Sequence, residues 1–438
     1  MSSTVINPAR RIRGEIVPPG DKSLSHRAAM IAALADGTSQ VTNFSPCEDC
    51  QRTLQCLRAL GIAVGQWQTE KGSLVEIAGR GLYGFRPPEG VLDAGNSGST
   101  IRMLSGILAG QPFAATITGD ASLRRRPMDR IVHPLRLMGA TITACEDRFA
   151  PLTIRGGELR PISYHLPIPS AQVKSAILLA GLYAPGVTIV SEPVASRNHT
   201  EIMLKEFGAD VTTDEGKTSV VGRSGLIPQS YEISGDPSAA AFFIAAAAAL
   251  RGSELVVRRM LVNPTRTGFF DALKELGVTL DLVRESIVHG ERVADVIVRS
   301  ERESLRQRSE PYLVAGRRIP ILIDEIPILA VLATQTRHGV IIRDAHELRA
   351  KESDRIRTIV TNLRRMGAHV SEQDDGMIIP GDQKLRGAEI DPAGDHRIAM
   401  AFAIAGLLAE GETVIRDSEC VAVSFPGFFS VLDHVVER

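Results

Sequence analysis

Apolar residues fall along this chain in two alternating textures. Short β-branched runs, such as Val340-Ile341-Ile342 and Thr413-Val414-Ile415, predict strands. Alanine-rich apolar stretches of nine to thirteen residues predict buried helices. The two textures join in one recurring signature: an alanine-rich helix, a glycine, then a β-branched run. It occupies residues 27–35 with Gly37 and Val41, residues 100–109 with Gly110 and 114–118, and residues 174–184 with Gly186 and 187–190. It returns at 239–250 with Gly252, at 326–334 with Gly339 and at 397–409 with Gly411. Glycine just past a helix supplies the left-handed residue that ends it. The six glycines lie 73, 76, 66, 87 and 72 residues apart in a chain of 438, one sixth of which is 73.

A second signature closes the second helix of each repeat. It reads Leu-x-x-(Leu/Met/Phe)-Gly-apolar, at Leu57 to Gly61, Leu135 to Gly139, Leu204 to Gly208, Leu273 to Gly277 and Leu363 to Gly367. All five copies carry a basic residue straight after the first leucine, which suits the negative end of the helix dipole. The sixth copy is replaced by a C-terminal helix at 428–436. The repeat is too long for an ordinary solenoid and fits a βαβαββ unit, the split βαβ theme, copied six times. The expected fold class is therefore α+β, assembled from α/β repeats.

Composition narrows the function classes. Hydrophobic residues make up 44% of the chain, enough for a large core, and length predicts two or three domains. With 50 Lys+Arg against 51 Asp+Glu, the chain lacks the basic excess of a general nucleic-acid binder, so anion recognition must rest on local placement. The stretch 239–250 is too short to span a bilayer, and no membrane partner is expected. Five cysteines (Cys47, Cys50, Cys56, Cys145 and Cys420) and no apolar leader in residues 1–13 point to a cytoplasmic protein. Cys47 and Cys50 form a CxxC without the second pair that zinc needs, so no metal is expected. No GxGxxG follows a strand and no Walker A is present, so no nucleotide cofactor is expected.

The helix starts carry the chemistry. They read Gly20-Asp21-Lys22-Ser23, Gly95-Asn96-Ser97-Gly98, Pro169-Ser170-Ala171-Gln172, Gly235-Asp236-Pro237-Ser238, Asp324-Glu325-Ile326-Pro327 and Gly394-Asp395-His396-Arg397. Ser, Asn and Asp are natural caps, and for Asp236 capping alone is the expectation. Capping does not explain Lys22 and Arg397, since the dipole disfavours a cation at a helix start by about 0.3–1 kcal/mol. An anion between the cation and the free N–H groups would explain both. If the repeats pack with pseudo-symmetry, such starts converge on a ligand with more than one negative group. Further cations precede or open second helices: Arg124-Arg125-Arg126, Arg197, Arg266, and Lys351 with Arg355, expected four apart on one helix face. Glu352 and Asp354 leave a solvated, salt-bridged face as the alternative there, and for Arg317-Arg318 and Arg364-Arg365 that reading is preferred.

Several long motifs in order make the chain similar to the 5-enolpyruvylshikimate-3-phosphate synthase family. They are Gly20-Asp-Lys-Ser23, Gly95-Asn-Ser-Gly98, residues 119–127 (GDASLRRRP), Ser170-Ala-Gln-Val-Lys174, Arg197-Asn-His-Thr-Glu201, Asp324-Glu325, residues 347–355 (ELRAKESDR) and residues 395–400 (DHRIAM). The resemblance covers essentially the whole chain. It implies two domains of three βαβαββ units, one at residues 21–238 and one at 1–20 with 239–438, and ligands held in the cleft between them. It implies a transferase of the shikimate pathway, on the route to chorismate and the aromatic amino acids. The enolpyruvyl group of phosphoenolpyruvate moves to the 5-hydroxyl of shikimate 3-phosphate, through addition, a tetrahedral intermediate and loss of phosphate, without a metal or other cofactor. A monomer is expected, with the herbicide glyphosate as an inhibitor.

Residue by residue, the resemblance implies Lys22 touching both substrates. It implies Ser23, Arg27, Ser170, Ala171, Gln172, Ser196, Arg197, Asp324 and Lys351 at shikimate 3-phosphate. Asn96, Gly98, Arg126, Gln172, Arg355 and Arg397 are implied at phosphoenolpyruvate. Asp324 is implied as the base at the 5-hydroxyl, and Glu352 with Lys351 in proton exchange at the methylene carbon. Two features depart from parts of the family: Val423-Ser424, not a lysine, precede Phe425-Pro426, and Gly98 stands where some members carry alanine. The forms at 197–201, 170–172 and 263–266 resemble the glyphosate-insensitive subgroup. The related enzyme acting on a UDP-sugar carries a cysteine in the loop matching 120–126; this loop has none. A non-catalytic phosphoanion or RNA binder of the same fold is opposed by Asp324, Lys351 and Glu352.

Overall fold

The computed structural model describes residues 2–69, 72–301 and 305–438. The chain forms two compact units, one of residues 20–234 with 287–291, the other of 1–19, 235–286 and 292–438. The chain passes between them at 19–20 and 234–235, and again around residues 287–291, which belong to a hairpin of strands Thr279–Val288 and Glu291–Arg299.

The first of these units holds three four-stranded sheets of one design. In the clearest, strands Leu92–Asp93 and Ala114–Thr118 run parallel, Phe149–Arg155 is antiparallel to the latter, and Thr141–Cys145 closes the edge. Helices Gly98–Ala109 and Asp129–Leu137 fill the two crossovers, which gives β-α-β-α-β-β in chain order. Ser163–His165, Val187–Ser191, Lys217–Val221 and Val211–Asp214 repeat the order. The third sheet borrows its first strand: Ser230–Glu232, from the far end of the segment, runs parallel to Asp36–Thr42.

The other unit holds sheets of five, four and three strands. Its last repeat lacks the closing hairpin. The N-terminal strand Ser3–Ile6 pairs antiparallel with Thr413–Arg416 instead. The expected C-terminal helix is present as Phe428–Val435, but it does not fill that place in the sheet.

Each unit packs three alanine-rich helices at its centre. Pro237–Ala249, Ile326–Ala333 and His396–Leu408 are almost wholly buried and pack on one another, hence apolar residues all round. In the other unit, a Cβ on Gly106 would meet the Ala176 carbonyl oxygen at 2.2 Å, so glycine lets helices Gly98–Ala109 and Ala171–Gly181 approach closely. The glycines of the second signature behave as expected, with φ from +83° to +114°. Gly110 does not: its φ is −90°, and it is kept small by the Tyr183 ring, 2.2 Å from where a Cβ would stand.

Candidate active site

The starts of the central helices meet within each unit, and side-chain bonds show it. In the unit of residues 20–234, Asp21 caps helix Lys22–Leu34 by accepting from Leu24 N at 2.7 Å. Lys22, the first helical residue, pairs with Asp49 at 2.9 Å. Buried His26 shares a hydrogen bond with Thr53 at 2.7 Å, Thr53 another with Thr100, and Thr100 donates to Ser97, the cap of the next helix. Burial first, and then the charges of Lys22 and Arg27, hold the His26 imidazole well below its ordinary pKa of 6.5, so it is neutral. Arg27 is 4% exposed. Its Nε donates to Thr200 Oγ1 at 2.7 Å, Nη1 to the Ser23 carbonyl at 2.9 Å and Nη2 to Ser175 Oγ at 3.0 Å.

Around Asn96 a second group forms. Arg126 Nη2 donates to Asn96 Oδ1 at 2.5 Å and to Ser122 Oγ at 3.3 Å, and Asn96 Nδ2 donates to Asp120 at 2.7 Å. Arg124 and Arg125 beside it are exposed, so only Arg126 of the three turns inward. Gln172 donates to Ser99 Oγ and accepts from Arg102 Nη1, both at 2.9 Å. A Cβ on Gly98 would lie 2.5 Å from that Arg102 nitrogen and 3.6 Å from Arg126 Nη1. Arg102 was not among the expected residues. It sits four residues inside a helix with no cap or motif to mark it, although its spacing from Gly98 is one helical turn. Ser170 caps helix Ala171–Gly181, and Ser196 gives both its backbone N–H and its hydroxyl to Glu192. Arg197 follows in the same loop.

In the other unit, Arg355 gathers three carboxylates at 1% exposure. Its Nε donates to Asp395 Oδ2 at 2.8 Å and its Nη2 to Glu352 Oε2 at 2.6 Å, while Nη1 lies 3.7 Å from Asp324 Oδ1, an ion pair longer than a hydrogen bond. Arg397 Nε lies 3.7 Å from the same Asp324 oxygen, and its Nη1 donates to the Asp324 carbonyl at 3.3 Å. Burial pulls the Arg355 pKa down, but Asp395, Glu352 and Asp324 outweigh it and the net shift is upward. Asp395 caps helix His396–Leu408 as well. A parallel set joins the neighbouring starts: Arg266 donates to Asp236 Oδ1 at 3.2 Å and Ser238 Oγ at 3.0 Å, and Ser238 donates to Glu325. Asp236 is thus more than the cap expected of it.

Lys351 corrects another expectation. It precedes helix Arg355–Arg365 rather than sitting in it, because Asp354 accepts from Arg357 N and starts the helix there. Lys351 and Arg355 therefore do not share a helical face. Lys351 is half-buried beside Glu352 at the end of a short 3-10 turn, His346–Ala350.

Among the described residues no group of three or more His, Cys, Asp or Glu side chains could hold a metal ion, and no helix is long and apolar enough to cross a membrane. Burial pushes the thiols of Cys56 and Cys420 up to about 12, so both stay protonated at neutral pH.

The match to known proteins spans both groups of residues. The EPSP synthase (3-phosphoshikimate 1-carboxyvinyltransferase) family matches residues 6–432. The chain belongs to the EPSP synthase family. It is 51% identical over 432 residues to a 3-phosphoshikimate 1-carboxyvinyltransferase of Solibacter usitatus, covering 99% of each chain. It is 49% identical to one of Brevibacillus brevis, covering 98% of each. The solved EPSP synthase of Acinetobacter baumannii superposes with a TM-score of 0.85 at 41% identity, over 99% of this chain and 98% of that one. The α+β repeat fold is thus that of an EPSP synthase.

Proposed function

We propose that the two groups of buried charge serve the family's one reaction. The chain transfers the enolpyruvyl group of phosphoenolpyruvate to the 5-hydroxyl of shikimate 3-phosphate and releases phosphate. The hydroxyl oxygen adds to C2 of phosphoenolpyruvate as a proton adds to C3. The tetrahedral adduct then loses a C3 proton and phosphate, and the vinyl double bond returns.

Each step needs a charge that the site can supply. Asp324 takes the hydroxyl proton. Glu352, with Lys351 beside it, exchanges the proton at C3. Their carboxylates lie on one guanidinium, Arg355, and this grouping is the observation that carries the reading. General acid–base transfer of this kind contributes about 10²–10⁴ in rate. Arg355 and Arg397 hold the carboxylate and phosphate of phosphoenolpyruvate together with Lys22, Asn96, Gly98, Arg126 and Gln172. Lys22, Ser23, Arg27, Ser170, Ala171, Gln172, Ser196, Arg197 and Lys351 hold shikimate 3-phosphate. Cations and backbone N–H groups aimed at the phosphates stabilise the developing charge.

The enzyme works as a monomer in the cytoplasm, where a reducing medium keeps its five free cysteines as thiols. A phosphate-release assay tests the reading. Release with phosphoenolpyruvate and shikimate 3-phosphate is expected. Release only when UDP-N-acetylglucosamine replaces shikimate 3-phosphate assigns the related cell-wall enzyme instead, and no release with either leaves a non-catalytic anion binder.

A further inference from the structure

Helix Ala171–Gly181 opens with three of the residues assigned to shikimate 3-phosphate, and its fourth residue, Lys174, faces away into the protein. Its side chain is 5% exposed and its ammonium lies between two carboxylates. Nζ lies 2.7 Å from Glu201 Oε1, and 3.2 and 3.3 Å from the two oxygens of Glu192, whose side chains are 4% and 5% exposed. Burying three charges is costly unless each is paired and hydrogen-bonded, so the cluster must hold something in place or lose to an apolar core.

What it holds is the loop after strand Val187–Ser191. Glu192 Oε2 accepts from the backbone N–H of Ser196 at 2.7 Å, and its Oε1 accepts from the Ser196 hydroxyl at 2.6 Å. One carboxylate thereby fixes both the backbone and the side-chain rotamer of Ser196, and sets where the chain enters Arg197 and helix His199–Glu206. The far end of that helix start is fixed in the same way. Glu201 meets Lys174, while the adjacent Thr200 shares a hydrogen bond with the adjacent Ser175 at 2.6 Å and accepts from Arg27. Two neighbouring residues on one helix grip two neighbouring residues on the other.

We infer that Lys174 and Glu192 are positioning residues for shikimate 3-phosphate: the lysine neutralises Glu192 in the interior, and Glu192 presents Ser196 and Arg197 to the ligand. The inference rests on the assignment of Ser196 and Arg197 to that substrate. It makes neither Lys174 nor Glu192 a group that touches it. Glu192→Gln keeps the shape and one acceptor but cannot accept both Ser196 donors. A merely structural cluster would lower stability and leave the kinetic constants of the folded enzyme alone. A positioning pair shifts one substrate selectively.

The test is steady-state kinetics of Glu192→Gln and Lys174→Met with each substrate varied in turn, beside urea unfolding and direct titration with shikimate 3-phosphate. A displaced loop is expected to raise the KM for shikimate 3-phosphate by about 10- to 100-fold, with the KM for phosphoenolpyruvate within about twofold. Lys174→Met leaves two buried carboxylates without their cation, so it is expected to unfold at lower urea; should it fail to fold, Glu192→Gln alone decides the matter. A folded Glu192→Gln with both KM values unchanged, or with both raised equally, overturns the inference. Arg197→Gln separates this failure from failure of the assignment beneath it. If Arg197→Gln weakens shikimate 3-phosphate while Glu192→Gln does not, only the positioning role falls. If Arg197→Gln leaves that affinity untouched, the loop is not a substrate loop and both fall.

Discussion

Arg27 and Arg355 are both almost fully buried, one in each unit, and they are held by opposite means. The three guanidinium nitrogens of Arg27 donate to neutral oxygens, those of Thr200, Ser23 and Ser175. Arg355 donates to the carboxylates of Asp395 and Glu352 and lies beside that of Asp324. Hydroxyls and carbonyls orient the Arg27 guanidinium without themselves neutralising its charge. Around Arg355 the partners are carboxylates, whose charge opposes that of the guanidinium. On the proposed assignment Arg27 would meet shikimate 3-phosphate, while the carboxylates around Arg355 would take part in proton transfer.

The sharpest way to break this contrast is at Asp324. In Asp324→Asn the shape stays and the proton acceptor goes, so turnover is expected to fall by about 10²–10⁴. Binding of phosphoenolpyruvate should hold or tighten, because Arg355 and Arg397 lose a competing anion. Equilibrium titration beside single-turnover kinetics reads both quantities. Parallel loss of affinity and rate would make Asp324 a scaffold residue.

Stability should separate the two arginines next. Arg355→Met leaves Asp395 buried with its main partner gone, and breaking a buried pair in this way costs about 3–5 kcal/mol. Arg27→Met leaves Thr200 and Ser175 still bonded to each other and strands no buried carboxylate among its hydrogen-bond acceptors, so the expected cost is smaller, about 1–3 kcal/mol. It should nevertheless abolish the rise in melting temperature that shikimate 3-phosphate gives the wild type. Equal destabilisation by the two substitutions would erase the distinction.

Much of this was legible in the sequence, and the exceptions share a physical cause. The six-fold tiling showed because each repeat must stop two helices, and the stops leave glycines at regular intervals. Lys22 and Arg397 showed because a cation is out of place at a helix start, and Arg126 through the resemblance of the motif at 119–127. Arg102, and the joining of Lys174 and Glu201 to the loop residue Glu192, did not show, because a charged residue in a helix or loop reads as solvated until its burial is known. The same ambiguity hid the break between Lys351 and Arg355, where Asp354 begins the helix one turn later than the charge pattern suggested. Strand borrowing was equally hidden: nothing local in Ser3–Ile6 says that it completes the sheet of the last repeat.

The unit of residues 20–234 should also lose stability in acid through one defined group. His26 is held neutral, with its pKa well below 6.5 in the folded chain. Its contribution to stability is therefore present in full above about pH 6.5. It is lost as the pH falls toward the folded value, at about 1.4 kcal/mol per pH unit, because only the unfolded chain takes up the proton. His26→Gln removes that slope. Urea unfolding of both proteins between pH 8 and pH 5 should show their stability difference shrinking as the pH drops. Curves that stay parallel would place the acid-labile group elsewhere.

The smallest expected change tests how finely the surroundings of Gly98 are fitted. Gly98 opens helix Gly98–Ala109 in a conformation that alanine also adopts, so Gly98→Ala should leave stability within about 1 kcal/mol. Its new methyl would stand 2.5 Å from Arg102 Nη1, the far end of a flexible side chain, so the arginine moves rather than the backbone. In moving, Arg102 gives up its bond to Gln172, and the methyl narrows the space in front of Arg126 Nη1. With phosphoenolpyruvate bound at Asn96, Gly98 and Arg126 as proposed, its KM should rise by a few-fold, about 1 kcal/mol of binding. Glyphosate, bulkier than phosphoenolpyruvate, should lose more, so the ratio of its inhibition constant to that KM should increase. The measurement is the pair of constants for wild type and variant under one set of conditions. If the ratio stays fixed while both constants rise, the methyl acts only through the displaced Arg102 charge, and Gly98 sets affinity rather than discrimination.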